Sequence, residues 1–166
     1  MKIKISSLKD GAYEYFFEDD IKKIGLEAPF IGNYKTIVDL STYDDQIILK
    51  VSTSINAELE CDRCAKLYPS RIESSYKMVY LHEEIDGDND SVDVTYISKD
   101  TDMIDISEDV REYSLLAVPM KKLCKEDCKG LCLKCGNDLN KDYCGCKKEE
   151  VDIRWKPLLE LKNKLN

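Results

Sequence analysis

Histidine is nearly missing from this chain: His82 is the only one. A histidine-based hydrolytic metal site and a Cys-His-Asn nucleophile set therefore each lack a component. His82 itself follows a strand-like segment and precedes Glu83-Glu84, which reads as an ordinary strand end. No Gly-rich phosphate loop is present, since the glycines of Cys128-Lys-Gly-Leu-Cys132 and Cys135-Gly-Asn-Asp138 belong to a cysteine-rich stretch. Long apolar runs are absent too. The longest, Leu115 to Met120, falls far short of the roughly 20 residues that cross a bilayer. Met1-Lys-Ile-Lys-Ile-Ser-Ser-Leu8 lacks the apolar core of a secretion signal, which predicts a cytoplasmic chain. There is no internal repeat and no low-complexity tract. The acidic pairs Asp19-Asp20, Asp44-Asp45 and Glu149-Glu150 make a poor nuclease centre, because neighbouring side chains point apart or into solvent. This inventory predicts a binding or assembly protein, with no catalytic residues, no membrane and no small-molecule substrate.

Positive charge is also in deficit. The 166 residues carry 33 acids against 25 lysines and arginines, a formal net charge of −8. Such a chain does not coat nucleic acid through bulk electrostatics. The charge is uneven, however. Glu83 to Glu112 holds twelve acids against Lys99 and Arg111, a balance of −10, whereas Lys121 to Lys148 holds eight lysines against four acids, a balance of +4.

What is there begins with alternation. From Ile47 to Cys61 the odd positions read Ile, Leu, Val, Thr, Ile, Ala, Leu, Cys, while the even positions from Lys50 are polar. That is a long half-buried strand. Tyr68, Ile72, Tyr76, Met78 and Tyr80 alternate with Arg71, Glu73 and Lys77, which predicts a second strand whose tyrosines serve the core rather than stacking on bases. Asp62 to Leu67 joins the two into a hairpin. Phe30 to Leu40 is a third strand, giving an antiparallel sheet with one wet face. Asp86-Gly-Asp88-Asn-Asp90 opens like a calcium loop, but Ser91 and Ile97 replace the turn glycine and the bidentate glutamate, so it reads as a solvated loop. Val92 to Ile97 is a further short strand. Ile106, Val110, Tyr113 and Ala117 recur at helical spacing, with Asp105 and Glu108 placed as a capping pair and Pro119 ending the helix. Pro157 to Leu165 predicts a short terminal helix anchored by Trp155. The expected fold is α+β: an antiparallel sheet with a long central hairpin and one packing helix over 1–120. A Cys-rich module with its terminal helix follows over 121–166, docked on the first part as a single unit.

Eight cysteines are the strongest signal. In a reducing compartment they favour thiolate–metal chemistry over disulfides. Cys61-x2-Cys64 sits at the hairpin tip, and Cys124-x3-Cys128-x3-Cys132-x2-Cys135-x8-Cys144-x-Cys146 is interleaved with Gly130, Gly136 and Gly145. The favoured partition places Cys132, Cys135, Cys144 and Cys146 around one zinc, and Cys61, Cys64, Cys124 and Cys128 around another, tying hairpin to module. A single zinc with free thiols, or an iron–sulfur cluster, are the rival arrangements. Closed four-cysteine sites leave no open coordination position, so they serve architecture. Each full tetrathiolate zinc adds about −2, which leaves the lysine-rich end only mildly attractive to RNA.

Leu59-Glu-Cys61-Asp-Arg-Cys64 resembles a signature of the YceD family, the large-subunit ribosomal RNA accumulation proteins of bacteria and plastids. The stretch Val118 to Asn140, then Cys144-Gly-Cys146 and Val151-Asp-Ile-Arg-Trp155, resembles the rest of that family's pattern. Leu133 and Ile153 stand where many relatives carry proline. The resemblance implies a role in synthesis, processing or stability of large-subunit ribosomal RNA, and no enzymatic activity. Two mechanisms fit it. Arg63, Lys66, Arg71, Lys121, Lys122, Lys125 and Lys129 would contact precursor RNA phosphates. Alternatively, the acidic stretch Glu83–Glu112 would escort a basic large-subunit ribosomal protein. A zinc–thiol redox sensor is a third reading.

Overall fold

Fifteen residues of one strand lie against fifteen of the next, and this hairpin organises everything else. A computed structural model describes residues 1–6, 8–44, 46–82, 93–146 and Arg154. Its strands are β1 (Lys2–Lys4), β2 (Gly11–Asp20), β3 (Phe30–Tyr43), β4 (Gln46–Glu60), β5 (Leu67–Leu81), β6 (Val94–Tyr96) and β7 (Met103–Asp105). A 3₁₀ turn occupies Ile21–Ile24, and one helix, α1, spans Ser107–Leu116. Five strands form a sheet in the order β2-β3-β4-β5-β6, while β1 and β7 pair separately.

The register of β4 against β5 runs unbroken from Gln46↔Leu81 to Glu60↔Leu67. It is set by the period-two pattern, since a slip of one residue would turn Leu49, Val51, Ile55 and Leu59 out into water. Those side chains are buried on the inner face together with Ile72, Tyr76, Met78 and Tyr80. The helix covers that face: Val110 is buried, and Tyr113 stacks on Tyr76 with ring centroids 4.2 Å apart and planes 8° from parallel. Ile3 and Ile104, paired across β1 and β7, join the same core. Within it, Thr36 and Thr53 satisfy one another through an Oγ1–Oγ1 hydrogen bond of 2.9 Å.

The architecture is the α+β arrangement expected, with three corrections. The sheet is mixed, because β6 runs parallel to β5, with Val79 opposite Val94. Three residues are too few for their alternation to state a direction. The expected Asp105–Glu108 capping pair does not form. Asp105 still belongs to β7, and its carboxylate accepts from the Ser107 N–H at 3.0 Å and hydroxyl at 2.7 Å, leaving Ile106 as a cap without a side-chain bond. Finally, β2 was not foreseen. Its odd residues Tyr13, Tyr15 and Phe17 face inward, half-buried, while Glu14, Phe16 and Glu18 face out, an alternation blurred by the exposed phenylalanine. The acidic loop 83–90, the Trp155 anchor and the terminal helix lie outside the described residues.

Candidate metal centres

At the hairpin tip the chain turns over six residues. The Cys61 N–H donates to Lys66 O at 3.0 Å, the Ala65 N–H donates to Cys61 O at 2.8 Å, and Ala65 sits in the left-handed region at φ +54°. The same pattern recurs 71 residues later, from Cys61 to Cys132. There the Cys132 N–H donates to Asn137 O and the Gly136 N–H to Cys132 O, both at 2.8 Å, with Gly136 at φ +72°. Residues 61–66 and 132–137 are thus two copies of one knuckle. In each, the turn aims backbone N–H groups at the first sulfur. Burial opposes ionisation of Cys61, yet donors from the Cys124, Arg63 and Cys64 backbone and the Cys64 side chain hold its thiol down to about 6. The backbone N–H groups of Cys135 and Lys134, with the Cys144 thiol, hold Cys132 down to about 6 as well.

The structure brings Cys61 and Cys64 together with Cys124 and Cys128, and gathers Cys132, Cys135, Cys144 and Cys146 into a second group. Within each group the four sulfurs all lie within 4.8 Å of one another. Each set is geometrically able to hold a metal ion. In the first, Cys61 Sγ lies 3.8 Å from Cys128 Sγ and Cys64 Sγ lies 3.7 Å from Cys124 Sγ. A tetrahedron with metal–sulfur bonds of about 2.3 Å has edges of about 3.8 Å, so both separations fit a shared cation. They are far too long for disulfide bonds, and all eight cysteines are free. Without a cation the sulfurs share protons unequally: burial first, then the neighbouring sulfurs, push Cys124 up to about 12. Hydrogen bonds to Cys135 and Cys144 do the same for Cys146, again to about 12. The first centre is enclosed, with Cys61, Cys64 and Cys128 buried. The second lies at the surface, with Cys135 exposed.

The two centres are fastened together. Asp62 clamps the segment before the first module cysteine, its N–H donating to Lys122 O at 2.8 Å while its Oδ2 accepts the Lys122 N–H at 2.6 Å. The Arg63 guanidinium donates to Cys128 O at 2.7 Å and Glu126 O at 3.2 Å. Gly130, at φ +76°, passes so close to the tip that a Cβ there would meet Arg63 O at 2.8 Å. Asn140, from the loop of the outer centre, donates through Nδ2 to Cys128 Sγ of the inner one at 3.4 Å. Sequence reasoning had no handle on Asn140: an amide carries no spacing rule of the kind thiolates obey.

The cationic residues are divided. Arg63 and Lys129 line a groove of about 630 Å³ beside the outer centre, with Leu131, Leu133 and Tyr143. Lys122 and Arg63 line a smaller one at the tip. Lys66 lies close enough to Asp138 to help lower its carboxyl, behind the larger effect of hydrogen bonds from Asn140. Lys125 pairs with Asp127 at 3.7 Å. Lys121 is exposed and lines neither groove. Arg71 is on the outer sheet face instead, donating to Ser54 Oγ at 2.6 Å and pairing with Glu73 at 3.1 Å.

Comparison with known proteins matches residues 49–162 to the model of the large ribosomal RNA subunit accumulation protein YceD. The match takes in most of β4, all of β5 and α1, and all eight cysteines. The chain belongs to the YceD family. Within its 62 matched residues, 37% of this chain, it is 42% identical to the Arabidopsis thaliana protein named large ribosomal RNA subunit accumulation protein YCED homolog 1, chloroplastic. Over 104 residues, 61% of this chain, it is 27% identical to uncharacterized proteins of Mycobacterium tuberculosis and Mycobacterium bovis. The matched stretches span 19% of the Arabidopsis protein and 49% of the mycobacterial ones. No solved structure matches. The family is thus named for accumulation of large-subunit ribosomal RNA, and no described helix is long and apolar enough to cross a membrane.

Proposed function

We propose that this protein is a non-enzymatic, cytoplasmic factor that supports large-subunit ribosomal RNA by contacting precursor RNA through the surface assembled around its hairpin tip, with a structural zinc ion in each cysteine group. The observation that carries the reading is the union of hairpin and module. It sets Arg63, from the tip, beside Lys122 and Lys129, from a segment some sixty residues away, and brings Lys66 within electrostatic reach of Asp138 in the module. The zinc supplies a cross-link between these segments and no reaction step. The protein's own residues shape the surface: Asp62 holds Lys122, and two carbonyl oxygens hold the Arg63 guanidinium in place without cancelling its charge. Thiolate ligands in both centres favour zinc over hard cations. Lys121 and Lys125 extend the cationic edge, and Arg71 adds a separate contact on the sheet face. The remaining acidic surface repels phosphate and so fixes the orientation of binding.

Crosslinking in growing cells tests the reading. The purified protein should carry large-subunit precursor sequences, and the double variant Lys66→Glu/Lys129→Glu should carry several-fold less. Equal recovery from both proteins would refute it.

A further inference from the structure

Among the described residues, the five-stranded sheet ends at β2. Strand β2 pairs with β3 over ten consecutive positions, from Gly11↔Thr42 to Asp20↔Asn33, with no bulge. Among the described residues no strand pairs with its other side. A long, regular edge presents alternate N–H and C=O groups to any extended chain, and proteins ordinarily blunt such edges with lysine, proline, bulges or brevity. Lysine, proline, a bulge and brevity are all missing from Gly-Ala-Tyr-Glu-Tyr-Phe-Phe-Glu-Asp-Asp, and the charges that guard it are carboxylates alone, which repel an acidic strand and admit a basic one. Apolar side chains line it on both faces instead: Tyr13, Tyr15 and Phe17 half-buried inside, and Phe16 60% exposed outside.

The strand's charge chooses the occupant. Its charged side chains, Glu14, Glu18, Asp19 and Asp20, are all carboxylates. Glu18 has a cation in Lys35 at 3.3 Å, Asp19 one in Lys23 at 2.6 Å, and Asp20 accepts the Lys22 N–H at 2.8 Å. Glu14 is placed differently. Its cross-strand partner is Asp39, so two like charges stand directly opposite one another, an unfavourable pairing in a sheet; Lys50, opposite Asp39 on β4, lies one strand further from Glu14. A second copy of this chain, or an RNA, would bring more negative charge to the same edge. A cationic side chain from an added strand would relieve it.

We infer that β2 is a docking edge for an extended, lysine- or arginine-bearing segment of a protein partner, which adds to the sheet as a sixth strand. The segment places a cation beside Glu14, an apolar residue beside Phe16 and a second cation beside Glu18, with apolar residues alternating onto Tyr15 and Phe17. Main-chain hydrogen bonds hold it and the alternate side chains select it. This rests on neither the metal centres nor the RNA contact, so the failure of either reading leaves it standing.

The test uses the full chain and a labelled nonapeptide with Lys-Val-Leu-Val-Lys at its centre, followed by fluorescence anisotropy and backbone amide shifts. The peptide should bind and shift the Tyr13–Glu18 amides. Glu14→Lys should weaken it at least tenfold, because like charge replaces attraction. The mild variant Glu14→Gln, which keeps size and strand pairing, should weaken it less. N-methylation of alternate peptide residues, which removes main-chain donors and leaves the protein untouched, should abolish binding. Equal binding of the N-methylated or the Glu-for-Lys peptide would overturn the inference. So would displacement of the peptide by single-stranded RNA, or a dimer in sedimentation that occupies the edge.

Discussion

The side-chain amide of Asn140 donates to the sulfur of Cys128 across 3.4 Å, joining the loop of one cysteine group to a ligand position of the other. Asn140 is itself held: its Oδ1 accepts the Lys129 N–H at 2.9 Å and its Nδ2 also donates to Asp138 at 2.8 Å. An oriented donor to a thiolate withdraws charge from it and fixes its direction, and outer partners of metal ligands are worth about 10–100-fold in affinity. Asn140→Ala should therefore speed loss of one zinc to a colorimetric chelator by about tenfold and spare the other. Asn140→Asp, which replaces the donor by a like charge, should be worse than alanine. Identical release from all three proteins would remove Asn140 from the metal environment.

The grouping of the cysteines makes a prediction about stoichiometry. Native mass spectrometry should find two zinc ions in the intact protein. Cys61→Ser and Cys124→Ser, sixty-three positions apart, should each retain one, and the double variant should still retain one. Cys132→Ser should lose the other ion. Retention of none in the Cys61→Ser/Cys124→Ser protein would mean that the centres are not separable.

Three positions in and beside the knuckles grade the cost of a left-handed backbone. Ala65 adopts φ +54° without being glycine, so Ala65→Gly should raise the thermal midpoint, by up to about 1 kcal/mol of stability. Gly136 has open space around it, so Gly136→Ala should lose about 1 kcal/mol for conformation alone. Gly130→Ala should cost more than either, because its Cβ also collides with the Arg63 carbonyl. A chemical denaturation series with zinc in excess checks the order.

Acid should unfasten the β7–α1 junction before the core. The Ser107 hydroxyl first, with the Ser107 N–H and the Met1 amino group, holds the Asp105 carboxyl down to about 2 against an ordinary 3.8. A depressed carboxylate stabilises the fold above its unfolded value, and that contribution fades as pH falls from about 4 through 2. Because the Asp105 side chain is 48% exposed, solvent screening leaves about 1 kcal/mol. Asp105→Asn should lose that amount at pH 7 and flatten the stability profile between pH 4 and 2, as followed by urea unfolding. A profile as steep as that of the parent protein would show that another acid is responsible.

How much of this was written in the sequence depends on how many constraints each segment carries. The β4–β5 hairpin was legible because one face is wholly apolar and the other wholly polar, as with Leu49 against Lys50. The cysteine groups were legible because thiolates converge on a cation at fixed spacings. Strand β2 was hidden because Phe16, on the water side, breaks the contrast that Tyr13, Tyr15 and Phe17 would otherwise make. The Asp105 cap was misread by one position, since a strand that runs directly into a helix leaves no loop to mark the boundary. Nothing local could reveal that Gly130 packs on the Arg63 carbonyl, because that contact spans most of the distance between hairpin and module.

The two cysteine groups also differ in when they can exist. Cys132 to Cys146 can converge as soon as one short stretch of chain is available, with little loop to close. The inner group has to bring Cys64 to Cys124 and Cys61 to Cys128, over 60 and 67 residues. Closing loops of that length costs more entropy than closing the short loop of the outer group, though the cost rises only slowly with length. During synthesis the hairpin tip therefore leaves the ribosome with two thiols and waits for more than sixty further residues before its centre can close. Completion of the inner site is therefore possible only once the hairpin, the helix and the first two cysteines of the module have all been made.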